Sequence, residues 1–182
     1  MQTNSHNSKA HPRRALHVLL TAAACLWLTA CGFALRGSTS LAADMQPVFI
    51  SAERDSHELA QSLKRQFVIN NVAVAKRRSE AKLIVVVTLL DEQKRSAALD
   101  DEARDAEYAL YESARLELQS PDGKNLKGPH TLQQRRLIVN DPDNPVGEET
   151  ESTIVRAEMR EQLSIRLARQ VEYWSHQMQA QP

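Results

Sequence analysis

From Ala106 to Leu118 the chain alternates between apolar and polar positions. Ala106, Tyr108, Leu110, Ala114, Leu116 and Leu118 fall on one side, and Glu107, Tyr111, Ser113, Arg115 and Glu117 on the other. A period of two over this length predicts a long antiparallel strand with one buried face. Leu83 to Leu90 is nearly all β-branched or leucine, the pattern of a strand covered on both sides. Leu132 to Val139 predicts a returning strand, joined to the long one by the turn signal Pro121-Asp122-Gly123. Pro47 to Ser51 predicts a short first strand, with Val48 and Ile50 on one face. Val72 and Val74 form a small strand or an extended turn.

Two stretches repeat instead at helical spacing. Asp55-Ser56-His57-Glu58 opens the first, with Asp55 and Glu58 spaced as a capping box. Leu59, Leu63 and Phe67 then make one apolar stripe, and Asn70-Asn71 ends it. The second runs from about Glu149 to Met178. Its stripe is Val155, Met159, Leu163, Leu167, Val171, Trp174 and Met178. Thirty residues at 1.5 Å each reach roughly 45 Å. Arg156, Arg160, Arg166 and Arg169 lie off the stripe among Glu151, Glu158, Glu161 and Glu172. That mixture reads as pairing along a wet helix face. The order β-α-β-β-β-α predicts an α+β fold: an antiparallel four-stranded sheet with two helices packed on one face. One domain over residues 46–179 accommodates it. Residues 91–105 are highly charged and include Asp100-Asp101-Glu102. They extend the strand pair outward or form its connecting tip. Asp141-Pro142-Asp143-Asn144-Pro145 stops the last strand.

The first thirty residues follow another logic. Residues 1–14 carry Lys9, Arg13 and Arg14 with no acid, and a mainly apolar run follows to Ala30. A positive start, a short apolar run and small residues before a cut describe a signal peptide over 1–30. About sixteen residues are too few to span a bilayer as a helix. Leu28-Thr29-Ala30-Cys31 resembles the lipobox of bacterial lipoproteins, with Cys31 as the lipidated N-terminus and residues 31–45 as the tether. Gly32, where inner-membrane retention often uses Asp, favours export to the outer membrane.

Composition narrows the function. The precursor has 23 basic and 23 acidic residues. Removing the leader takes away three basic residues and no acidic one, so the mature chain is slightly acidic and no general polyanion binder. Aromatics make up 4%, too few for stacking platforms, so no nucleic-acid partner is expected. Cys25 lies in the leader and Cys31 takes the lipid, so no disulfide staples the domain. His57, His130 and His176 have no metal-ligand spacing. No nucleophile elbow, phosphate-cradling loop or zinc-hydrolase motif is present. No metal, cofactor or catalytic residue is assigned, and the chain reads as a non-enzyme. Asp100-Asp101-Glu102 reads as a solvated acidic loop.

Cys31-Gly32-Phe33-Ala34-Leu35-Arg36-Gly37 resembles the opening of the lipopolysaccharide-assembly lipoprotein family LptE, which typically reads Cys-Gly-aromatic-x-Leu-Arg. Ala106-Glu107-Tyr108 and Asp143-Asn144-Pro145 are similar to two further family segments, in the same order along the chain. The resemblance implies a plug inside an LptD-type outer-membrane β-barrel that helps the barrel assemble and contacts lipopolysaccharide. It implies a lipid anchor on the periplasmic side of the outer membrane, with the domain in the barrel lumen. The family's basic residues near the sheet tip and before the last helix are replaced here by Asp100-Asp101-Glu102 and Glu148-Glu149. Arg104, Lys124 and Lys127 are the nearby candidates for lipopolysaccharide contact. The alternative is a periplasm-facing lipoprotein that binds a small ligand or a cell-wall component.

Overall fold

The computed structural model describes residues 41–53, 55–140 and 145–180. The leader, Cys31, the motif that follows it and residues 141–144 lie outside them. Five strands and two helices follow in order: β1 (Val48–Glu53), α1 (His57–Ile69), β2 (Leu83–Leu89), β3 (Gln93–Leu99), β4 (Asp105–Gln119), β5 (Asn125–Val139) and α2 (Pro145–Ala180).

The α+β class and the two helices match the expectation, with two corrections to the sheet. It has five strands rather than four, and β1 pairs with β2 in parallel, Val48 opposite Leu83. The parallel pair follows from connectivity. A strand–helix–strand crossover returns the chain in its original direction, and α1 is that crossover. The extra strand is β3, in the charged stretch. β2 and β3 both pair antiparallel with β4, β2 along Ala114–Gln119 and β3 along Asp105–Tyr111. β5 pairs with β4 over nearly its whole length and forms the far edge.

The helices lie on the face of β4 that carries Leu110, Ala114, Leu116 and Leu118. Leu59, Leu63 and Phe67 of α1 and Leu163, Leu167 and Val171 of α2 meet Val85, Val87, Leu116 and Leu118 there. Each such side chain taken from water stabilises the fold by about 2 kcal/mol. The opposite face is covered only in part. Phe49, Ile84 and Val86 pack under Ala75 and Ala81 of the α1–β2 connection. Over β3, β4 and β5 no described element covers that face.

Several details differ from the periodicity. Helix α2 is 36 residues and begins at Pro145, since a proline needs no intrahelical donor in the first turn. The capping box does not form: the N-cap is Ser56, and no side chain caps the helix. The Ser56 hydroxyl donates to the Glu53 carbonyl and accepts the Leu89 amide at 2.6 Å. It satisfies a backbone donor where β2 ends, which outweighs a helix cap. Strand β5 begins seven residues earlier than Leu132, across an irregularity in its pairing with β4 at Leu116–Gln119. Gly128 sits there at φ +94°, where a Cβ would lie 2.7 Å from the Leu116 carbonyl oxygen. Only glycine fits. Val74 makes a single parallel bridge to Val48.

Candidate functional site

The long strand β4 gives the domain two ends. Leu41 enters beside the start of β1, and the Gln46 side chain ties the Leu41 carbonyl to the Ala73 amide. The β4–β5 turn and the last turn of α2 reach the same end, where Gln179 bonds Asp44 at 3.2 Å. The opposite end is the β3–β4 tip, Asp100–Arg104.

These ends separate the predicted basic residues. Arg104 belongs to the tip. Lys124 and Lys127 belong to the entry end, fifteen strand residues away, or roughly 45 Å. They do not form one site. At the tip, the Asp100 carboxylate accepts the Arg104 amide and Nε, both at 2.8 Å, and the Glu102 amide at 3.0 Å. The Arg104 backbone bond is the main reason the Asp100 carboxyl is held below its ordinary value. Arg104 also reaches Glu102 at 3.2 Å. Its guanidinium is therefore largely committed to its own loop. At the entry end Lys124 is exposed and Lys127 half-buried. Arg78, from the basic run Lys76-Arg77-Arg78, reaches Gln119 at 3.4 Å beside them. Ser120 bonds Asp122 in the turn and lowers its carboxyl pKa.

A second set of charges lies between the helices and the sheet. Glu112 is fully buried. Residue 112 has the parity of the apolar face, but a glutamate carries no apolar signal. The gap between Leu110 and Ala114 is the signal that could have found it. Arg160 Nε donates to Glu112 at 2.9 Å, and another Arg160 nitrogen donates to Glu92 at 2.8 Å. Arg160 also pairs with Glu58 of α1, and Arg156 donates to Glu92 at 2.8 Å. Arg156 and Arg160 thus reach off their helix, contrary to pairing along it. Arg166 likewise bonds the Gln133 carbonyl at 2.7 Å. The cluster ties α1, α2, β4 and the β2–β3 connection through one guanidinium. Burial pushes the Glu112 carboxyl up to about 7, against the pull of Arg160. Its Oε2 has no hydrogen-bond partner among the described residues.

A third arrangement stands on the open face. Tyr111 of β4 lies between Arg95 of β3 and Arg135 of β5, whose guanidinium carbons are 5.3 and 5.9 Å from its ring centre. Arg135 Nε donates to the Tyr111 hydroxyl at 3.2 Å. Leu137 and Val139 are 50% and 66% exposed nearby.

The histidines stay apart. His57 opens α1, His176 lies 3.9 Å from Glu172, and His130 meets Trp174 edge-on at 6.0 Å. Among the described residues no three His, Cys, Asp or Glu side chains gather to hold a metal. No helix among them is long and apolar enough to cross a membrane.

Comparison with known proteins adds to this geometry. A family model described as "LptE: Lipopolysaccharide-assembly" matches residues 45–171. The LPS-assembly lipoprotein LptE of Photorhabdus laumondii is 29% identical over 163 residues, covering 87% of this chain and 86% of that protein. The LPS-assembly lipoprotein LptE of Yersinia pestis is 26% identical over 162 residues, covering 87% and 76%. Two solved structures share the fold. Rare lipoprotein B from Shewanella oneidensis has a TM-score of 0.62 at 17% identity, covering 72% of this chain and 98% of that one. Lipoprotein B from Nitrosomonas europaea has a TM-score of 0.66 at 18% identity, covering 80% and 93%.

Proposed function

Because the chain belongs to the LptE lipopolysaccharide-assembly family, its match spanning nearly the whole folded domain, we propose that it is a lipid-anchored plug of an LptD-type outer-membrane β-barrel. In this role it helps the barrel assemble and assists lipopolysaccharide on its way to the cell surface. Family membership carries the reading, and the physical design agrees with it. A plug must hold its shape inside a wet lumen. Here a 36-residue helix is bound to the sheet by an apolar stripe and by the Glu112–Arg160 cluster.

The anchor sets the orientation. Cys31 is the lipid site in this reading, with residues 1–30 removed as a leader. Nine residues lie between Cys31 and Leu41, ten steps along the chain, a reach of at most about 35 Å. The entry end, with Lys124 and Lys127, then faces the periplasmic leaflet of the outer membrane. The Arg104 tip points away from it. Lys124 and Lys127 are the candidates for phosphate contact with lipopolysaccharide, because neither is bound to a carboxylate among the described residues. The role is non-catalytic. In support, Glu112, the carboxyl raised to near neutrality, is shut from solvent and held by Arg160.

Depletion tests the proposal. Cells losing the protein should accumulate unassembled LptD-type barrel and admit large antibiotics, and Cys31→Ala should mislocalise the protein. A normal barrel and an intact permeability barrier after depletion would refute it. Charge reversal of Lys124 and Lys127 to Asp should reduce recovery on lipopolysaccharide several-fold. Unchanged recovery removes those two residues from the contact.

A further inference from the structure

The chain covers its own sheet unevenly. On the side away from the helices, the α1–β2 connection shields β1 and β2 over Phe49, Ile84 and Val86. Among the described residues it leaves the β3–β4–β5 part of that side bare. At the centre of the bare part Tyr111 stands between Arg95 and Arg135. Among the described residues neither arginine meets a carboxylate there: Arg95 is bonded to the Gln93 amide oxygen, and Arg135 to the Tyr111 hydroxyl. Arg65, Arg77, Arg104, Arg156 and Arg160 each pair with at least one acid. On the same face Leu137 lies opposite Ala109, and Val139 opposite Glu107.

From this we infer that the bare face centred on Arg95, Tyr111 and Arg135 is a docking surface for a protein wall that supplies carboxylates. The inference rests on the barrel-plug reading above and adds which side of the plug meets the barrel. Charge complementarity gives the partner's sign. Tyrosine and arginine beside exposed aliphatic side chains is the composition enriched at protein interfaces. The face is a sheet surface rather than a cleft, and small molecules and lipid chains favour concave sites. Size fits the same occupant. Three strands by about eight residues span about 400 Å² in projection, half of what one partner of a free-standing complex buries. Such a patch suits a surface whose partner is already held close by an anchor and an enclosing wall.

The test uses the full-length lipoprotein in living cells. A photo-crosslinking amino acid replaces Leu137 on the bare face or Glu158 on the exposed side of α2. Illumination should give an adduct with the barrel, identified by mass spectrometry, from position 137 and at least tenfold less from position 158. In parallel, Arg95→Glu with Arg135→Glu should lower barrel co-purification in detergent at least tenfold, while Arg95→Lys with Arg135→Lys keeps most of it. Thermal melting of both variants checks that they fold, and the crosslinks need neither variant. If the wild type brings down no barrel, the plug reading itself fails. If the wild type does and the Glu variant does equally, or position 158 crosslinks as well as 137, the docking face is refuted while the plug stands. If the Glu variant keeps the barrel but no longer binds lipopolysaccharide micelles, the face serves a phosphate-bearing lipid and the inference is overturned.

Discussion

Strand β4 carries two surfaces that differ at adjacent residues. Glu112 points beneath α2 and is fully buried, while Tyr111 faces outward on the bare side. Beneath the helices, Arg160 alone meets Glu58, Glu92 and Glu112. On the bare side Arg95 and Arg135 meet only uncharged groups among the described residues. The same residue type thus does two jobs. Covered arginines are spent on holding the fold, because a buried carboxylate without a partner is costly. Arg95 and Arg135, in the docking reading proposed above, keep their charge for a partner.

The contrast is broken most severely at Arg160. Arg160→Met leaves Glu112 buried without its cation and should cost about 4 kcal/mol, read as a fall in the urea midpoint. A loss under 1 kcal/mol would mean that the cluster does not hold the helices. Leu163→Ala, in the apolar part of the same covered face, should cost about 3 kcal/mol; near-neutrality would show that α2 packs loosely there. Glu112→Gln sharpens the comparison through pH. Burial raises the native carboxyl from its ordinary 4.5 to about 7, so the folded state holds this proton more tightly than the unfolded one. The group's contribution is then fully present below about 4.5 and fades as pH rises to about 7. Stability of the variant relative to wild type should climb across that window, by up to about 3 kcal/mol. A difference that stays constant from pH 4.5 to 8 would contradict the raised value. The smallest effect is expected on the bare side. Arg95→Ala and Arg135→Ala should each change stability by no more than about 0.5 kcal/mol. A larger loss would mean that these residues too are spent on the fold.

How far the sequence could be read follows the same division. β4 and the two helices were legible because burial on one face imprints a period. Leu59, Leu63 and Phe67, and Leu163 and Leu167, are all essentially inaccessible. β3 was not, because Gln93-Lys94-Arg95-Ser96 is exposed and a solvated strand carries no apolar alternation. The early part of β5 was hidden by Gly128-Pro129, a pair that ordinarily argues against a strand. The site was less legible than the fold. Arg104, Lys124 and Lys127 were near one another in the sequence pattern, yet a fifteen-residue strand carries the first to one end and the others to the opposite end. Tyr111, Arg95 and Arg135 come together only through strand register. Glu112 was visible in principle, as the polar residue whose parity disagrees with its neighbours.

The irregularity at Gly128-Pro129 has a consequence of its own. β5 is a fifteen-residue strand at the edge of the sheet, and such an edge invites other chains to add to it. Pro129 lacks an amide donor, and the shifted pairing around Gly128 interrupts the edge before it can act as a continuous template. Lys127, Arg135 and Arg136 add repulsion between like copies. Together these features keep the edge from serving as a template on which copies of this chain could polymerise.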